Sequence, residues 1–247
     1  NYEKLGVTFD LWYGESDADR YIPRLMDMLA EKNLLVESDG ALIVEVAEPE
    51  DKAPMPPVIV RKSDHSRIYA TTDLATILQR ERDFAPAEIW YVVDKRQSLH
   101  FTQVFRCAKK AGLVPPQTEF EFLGFGTMNG ADGKPYKTRE GGIMKLEDMI
   151  ATVTAGAQEK LEASSFVDEA DYQDIALKVG VAAIKFGDLI NQRAKDYVFD
   201  LSKFFSFEGK TGPYLLYTIT RINSILKKAG VPADQPLLLT GVYTDSE

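Results

Sequence analysis

Apolar positions recur at helical spacing near the start of the chain. Tyr21, Leu25, Met28 and Leu29 share one face of residues 19–32, which predicts an amphipathic helix. The period then shortens. Leu34–Glu37 and Ala41–Val46 read as strands, and Ser38-Asp39-Gly40 supplies a hairpin turn between them. Residues 47–56 hold three prolines and four charges in ten positions and read as a loop or surface linker.

An alternation of short apolar runs and helical stretches follows. Val58–Val60 and Ile68–Ala70 are strand-like, and Thr71-Thr72-Asp73 opens a helix that reaches about Arg82. Ile89–Val93 is compact, apolar and β-branched, the pattern of a buried parallel strand. Ser98–Gly112 reads as a helix with Phe101, Val104, Phe105, Ala108 and Ala111 on one face and Gly112 at its end. Phe120–Phe125 is a further strand. This order predicts a parallel sheet covered by helices, with ligands at the carboxyl ends of its strands, near Ala70, Asp94 and Gly126. After residue 145 the strand signal stops: Leu146–Glu162, Asp168–Asn191 and Pro213–Lys228 carry helical periodicity. The expected fold is therefore α/β followed by all-α, with a soft boundary between residues 145 and 165.

Composition narrows the setting. A chain of 247 residues with one cysteine, Cys107, forms no internal disulfide, and a reducing, cytoplasmic location is the expectation. Apolar runs such as Ala41–Val44 fall far short of the roughly 18–20 residues that span a bilayer, so no membrane partner is expected. The net charge of −9 argues against a nucleic-acid partner until its distribution is considered. Residues 1–52 carry 13 acidic and 5 basic side chains; the remainder carries 25 and 24. Local basic patches outside the N-terminal segment are thus free to meet a phosphate.

Four segments hold candidate chemistry. The loop from Gly126 to Gly142 (GTMNGADGKPYKTREGG) follows a strand and precedes a helix. Its glycines let backbone N–H groups approach an anion, and Lys134, Lys137 and Arg139 add charged donors. It lacks the GxxxxGK[ST] spacing of a P-loop, and spacing alone leaves phosphate cradle and solvated hairpin equally open. In Ile68–Ala75, Tyr69 and Asp73 straddle a strand-to-helix switch; Asp73 is either an anchor for a cation or a helix cap. Asp94, Gln97 and His100 step by threes into a helix at a strand end, as pocket residues or as capping groups. Tyr214, Tyr217 and Arg221 share a helical face, with Lys227 and Lys228 beyond. Such a face suits stacking on single-stranded RNA and equally suits packing in a helical bundle.

Taken in order, these segments resemble one family, the arginyl-tRNA synthetases of class I. The residues carrying the resemblance are IYATTDLA at 68–75, WYVVDKRQSLHFTQ at 90–103, the loop at 126–142, GDLINQRAKDYVFD at 187–200 and FEGKTGPYLLYTITR at 207–221. The opening YEKLGVTFDLWYGES is also similar to that family. The resemblance implies a partial class I Rossmann-like nucleotide-binding fold with a small hairpin-containing insertion and a C-terminal helical region. In these terms residues 1–56 form a connective insertion and 57–150 the second half of the catalytic domain. Residues 151–205 form a helical stem, and 206–247 the start of a helical anticodon-binding domain.

The resemblance also implies roles. Tyr69, Asp73 and Gln97 would hold the arginine substrate. Lys134, Lys137 and Arg139, taken as a group, would occupy the place of the KMSKS loop at the ATP triphosphate. Asp94, His100, Gly126 and Met128 would line the nucleotide side, and Tyr214, Tyr217 and Arg221 would meet tRNA. The implied reaction is ATP-dependent attachment of L-arginine to its tRNA through an arginyl-adenylate, with Mg2+ on the ATP phosphates, no prosthetic group and no resident metal, in an enzyme that is monomeric when complete. Neither histidine, His65 in SDHSR or His100 in SLHF, lies in an HxGH pattern. The chain is therefore expected to be an incomplete catalytic unit, inactive alone. The alternatives are a related class I nucleotidyl transferase, a synthetase of other specificity, and a non-catalytic tRNA-binding module. Asp73 with Tyr69 separates the first two from an arginine enzyme, and an upstream HxGH-containing segment separates the third.

Overall fold

The computed structural model describes residues 1–64, 68–130, 132–134, 144–162, 169–200 and 209–231. The chain divides into two compact units. One comprises residues 8–127 with 193–196; the other comprises residues 1–7, 128–192 and 197–247.

In the first of these, a 3-10 helix over Glu15–Tyr21 leads into α1 (Ile22–Glu31), with a proline in its first turn. Leu25 and Leu29, two members of the predicted apolar stripe, are fully buried. The predicted hairpin follows as β1 (Val36–Ser38) and β2 (Ala41–Val44). Asp39 and Gly40 between them both have positive φ, 49° and 76°, the two-residue turn whose twist matches that of the strands it joins.

Two expectations are corrected next. β3 (Val58–Arg61) does not join a parallel sheet but pairs antiparallel with β2. Val58 and Val60 are buried while Ile59 and Arg61 are exposed, the alternation of a strand covered on one face only. Ile68–Ala70 is not a strand either. Only Ile68 is extended (φ −132°, ψ 155°), and α2 (Tyr69–Phe84) begins at the next residue. The first turn closes early because the Thr71 N–H donates to the Ile68 carbonyl (2.9 Å). The buried Thr71 hydroxyl also donates to the Val60 carbonyl at 2.5 Å, tying the start of α2 to β3.

The parallel element lies further on. β4 (Glu88–Asp94) and β5 (Glu119–Phe125) run parallel, in register from Glu88 opposite Glu119 to Asp94 opposite Phe125. They are joined through a 3-10 turn (Lys95–Gln97) and α3 (Ser98–Ala111), which ends at Gly112 as expected. One continuous core binds these elements, with Leu29, Val44, Val60, Leu74, Ile77 and Val104 at its centre. Aromatic rings close its α3 side: Phe105 stacks on Phe120 at 4.7 Å, and Tyr91 meets Phe101 at 4.6 Å. The loop expected over 47–56 is clasped rather than free. Arg106 of α3 forks onto both Asp51 oxygens (2.6 and 2.7 Å), and Asp51 also accepts the Glu48 N–H at 2.8 Å.

The other unit is mostly helical, with α4 (Leu146–Glu162), α5 (Tyr172–Leu189) and α6 (Gly212–Lys228). Strands do not stop at residue 145, however. β6 (Met128–Asn129) pairs in parallel with β7 (Tyr197–Val198), a strand too short to show a period in sequence. Met149, Ile150, Val153, Ile184 and Phe199 form the core here, with Met128 and Tyr197 against it. Among the described residues no helix is long and apolar enough to cross a membrane.

Candidate active site

The end of β4 and the starts of α2 and α3 surround a cavity of about 570 Å3. It is lined by Glu15, Tyr69, Thr72, Asp73, Tyr91, Val93, Gln97, His100 and Phe101. Its size is that of a small-molecule site. Sequence order explains the convergence. Tyr69 and Asp73 come from the first five residues of α2, Gln97 directly precedes α3, and His100 sits in the first turn of α3. The N-terminal ends of two helices therefore face one space.

Tyr69, Asp73 and Gln97, expected together, lie around this single cavity. Tyr69 is on the rim and 74% exposed. Asp73 is half-buried, and His100 meets it: Nε2 lies 2.6 Å from Oδ2. An ionised carboxylate only accepts, so the imidazole Nε2–H is the donor. Sequence reasoning placed His100 on a nucleotide side and missed this pair, 27 residues apart. It also left Glu15 without a role, although Glu15 brings a second carboxylate to the cavity. The only earlier signal for Glu15 was its place in the opening WYGES segment.

Tyr91 forms part of the wall. The Arg80 guanidinium lies 5.1 Å from the centre of its ring. Its buried hydroxyl has no hydrogen-bond partner among the described residues. Burial pushes this phenol up to about 12, against a smaller downward pull from the Arg80 charge and with a still smaller upward push from the Asp73 charge.

Asp94 is placed differently. Its carboxylate accepts the Arg96 N–H at 2.8 Å and the Arg96 side chain at 2.9 and 2.6 Å, so it caps the turn before α3 and is not a cavity wall. These bonds hold its carboxyl down at about 2.

Gly126 sits where β5 ends against residues 193–196. Its N–H donates to the Arg193 carbonyl (2.8 Å), and a Cβ at this position would collide with the Lys195 carbonyl. Around it, Arg193 donates to the Gly124 carbonyl (2.6 Å), Thr127 N–H to Asp196 (2.7 Å), and Lys95 pairs with Asp196 (2.8 Å). The GDLINQRAKDYVFD segment thus has a legible task here: its Arg193–Asp196 stretch clamps the end of β5.

In the other unit, Met128 belongs to β6 and packs its side chain against the core formed by α4 and α5. Lys134 closes a tight turn in which the Gly130 N–H donates to the Lys134 carbonyl (2.8 Å) and the Lys134 N–H to Asp132 (3.1 Å). Lys137 and Arg139 lie outside the described residues. Tyr214, Tyr217 and Arg221 are exposed on α6, and Arg221 donates to the Tyr217 hydroxyl at 3.0 Å.

A larger cavity, about 830 Å3, lies at the far end of α3 against the loop before β5. Its cations are already engaged: Arg106 with Asp51, Lys109 with the Pro116 and Thr118 carbonyls, and Lys110 with the Glu45 carbonyl. It offers a poorer donor set than the smaller cavity.

Comparison with known proteins identifies the family. Residues 1–201 match the family model described as tRNA synthetases class I (R), catalytic domain. An arginine–tRNA ligase of Alkaliphilus oremlandii is 55% identical over all 247 residues, which cover 42% of that relative. Among solved structures, an arginyl-tRNA synthetase of Plasmodium falciparum superposes with a TM-score of 0.76 at 26% identity, over 92% of this chain and 37% of that one. The Thermus thermophilus arginyl-tRNA synthetase, at 22% identity, shares the fold with a TM-score of 0.71 over 97% of this chain and 46% of its own. The chain thus spans about two fifths of the length of the relatives it matches.

Proposed function

The chain belongs to the class I arginyl-tRNA synthetase family, and from that premise we propose that it supplies the arginine pocket of an enzyme that joins L-arginine to tRNA at the expense of ATP. The observation that carries this reading is the convergence of Tyr69, Asp73, Gln97 and Glu15 on one cavity at the end of β4.

A guanidinium is planar, always charged and presents its N–H groups as a fork. Asp73 takes that fork on its carboxylate, and Glu15 adds a second negative charge. The Tyr69 hydroxyl and the Gln97 amide supply neutral partners for the remaining N–H groups. A substrate without the cation leaves a half-buried carboxylate unpaired, so the pocket rejects it. The substrate carboxylate then attacks the α-phosphorus of ATP. A P–O bond forms there, the bond to the departing pyrophosphate breaks, and a 3′-terminal hydroxyl of tRNA then takes the acyl group from the arginyl-adenylate, forming an ester and releasing AMP. Positioning and charge stabilisation dominate such chemistry. Lys134, Lys137 and Arg139 act together on the phosphate oxygens. Mg2+ enters on ATP as part of the substrate; among the described residues no cluster of three His, Cys, Asp or Glu side chains is arranged to hold a resident ion. The exposed Tyr214, Tyr217 and Arg221 face of α6 contributes to the tRNA surface. The complete enzyme works as a monomer.

The test is arginine-dependent ATP–pyrophosphate exchange by the complete protein that carries these residues, with tRNA present. Asp73→Ala abolishes it; exchange that survives this change contradicts the assignment.

A further inference from the structure

We propose that His100 is a positioning residue that holds Asp73 in the orientation needed to receive a guanidinium, a role that rests on the arginine-pocket reading above. The two side chains come from different helices, Asp73 from α2 and His100 from α3, and meet at 2.6 Å inside the cavity. Three observations separate this role from the alternatives.

The first concerns the atom engaged. Nε2 is the outer nitrogen of the ring, the one that would reach a phosphate, and Asp73 occupies it. That argues against a nucleotide contact. The second concerns charge. A carboxylate offers about four lone-pair sites, and one N–H from His100 uses one of them on Oδ2. The opposite oxygen and the rest of Oδ2 stay available for a fork. The carboxylate so held can still receive the cation of the substrate. The third concerns freedom. Asp73 and His100 side chains are each about 30% exposed, so neither is fixed by burial alone. Glu15 and Gln97 line the same cavity, and among the described residues His100 is the side chain that bonds to Asp73. Without His100 the carboxylate is free to turn toward solvent.

His100 therefore acts through Asp73 and not on the substrate. Its removal weakens arginine binding selectively, and any side chain that restores an N–H at the position of Nε2 restores binding.

The experiment uses the complete protein and arginine-dependent pyrophosphate exchange with tRNA present. His100→Phe keeps the ring and removes the donor. His100→Gln places an amide N–H close to the lost Nε2–H. His100→Asn is polar but too short to reach Oδ2. The expected result is a rise of about tenfold in the arginine KM for the Phe and Asn variants, with the ATP KM unchanged, and recovery to within about threefold of the parent value for Gln. An unchanged arginine KM in the Phe and Asn variants overturns the proposal. So does an ATP KM that rises in step, or equal losses in Phe, Asn and Gln variants accompanied by equal falls in Tm, since those mark a purely structural role. If the unsubstituted protein shows no exchange that depends on arginine, the pocket reading itself falls, and this role falls with it.

Discussion

Gly126→Ala puts one methyl group against backbone, where no side-chain rotation relieves it. The new Cβ would collide with the Lys195 carbonyl, and the Asp196 nitrogen stands only 2.7 Å away. The strand end and the crossing segment must separate by about an ångström to restore ordinary contact. Four ties cross that gap: Gly126 N–H to Arg193 carbonyl, Thr127 N–H to Asp196, Arg193 to the Gly124 carbonyl, and Lys95 to Asp196. Overpacking costs about 1–3 kcal/mol, and weakening one or two hydrogen bonds costs about 1 kcal/mol each. A loss of about 3 kcal/mol follows, which for a unit of roughly 120 residues lowers Tm by about 10 °C. Gly133→Ala is the control. Its φ of 72° is costly for a residue with a side chain, but nothing lies within 4 Å of the added atom, so its cost stays near 1 kcal/mol. Thermal unfolding followed by near-ultraviolet circular dichroism measures both. A Gly126→Ala variant that melts no lower than Gly133→Ala refutes the reasoning.

Two further outcomes follow from ionisation and burial. Arg106, the Glu48 N–H and the charge of Arg106 hold the Asp51 carboxyl at about 2, below its ordinary 3.8. A depressed carboxyl contributes stability above its unfolded value and loses it as pH falls toward the folded one. The Tm gap between the parent protein and Asp51→Asn is therefore full at pH 5 and closes between about pH 4 and pH 2; a gap that persists at pH 2 contradicts the clasp. Cys107 is fully buried, and burial raises its thiol to about 12. At pH 8 it resists iodoacetamide in the native protein and reacts in urea; rapid native labelling, read by mass spectrometry, contradicts the packing of α3.

Local features of the fold were legible in the sequence because local chemistry decides them. Asp39-Gly40 announces a turn that needs positive φ, Gly112 ends α3, and the apolar runs at Ile89–Val93 and Phe120–Phe125 pair in parallel as expected, although Ile89–Val93 is not the fully buried strand its composition predicts: Trp90 and Val92 are exposed on its open face. Pairings across distance were not legible. Val58–Val60 carries the same short apolar signal whether it joins a parallel sheet or a hairpin, and only its one-sided burial shows which. Ile68-Tyr69-Ala70 looks like a strand because Ile68 is extended, but the Thr71 hydroxyl captured by Val60 starts the helix at Tyr69. The cavity follows the same division. Tyr69, Asp73 and Gln97 stood out by motif, whereas Glu15 and the His100–Asp73 bond depend on how separate elements converge, which no spacing encodes.

The central claim is that a carboxylate pocket at the end of β4 selects a guanidinium. Citrulline has nearly the shape of arginine but carries a neutral ureido group, so it isolates the charge. The deciding measurement is the ratio of kcat/KM for arginine over citrulline in pyrophosphate exchange by the complete protein, before and after Asp73→Asn. The account predicts a preference of about 100-fold or more for arginine that largely disappears in the variant. A preference that survives Asp73→Asn undiminished contradicts it.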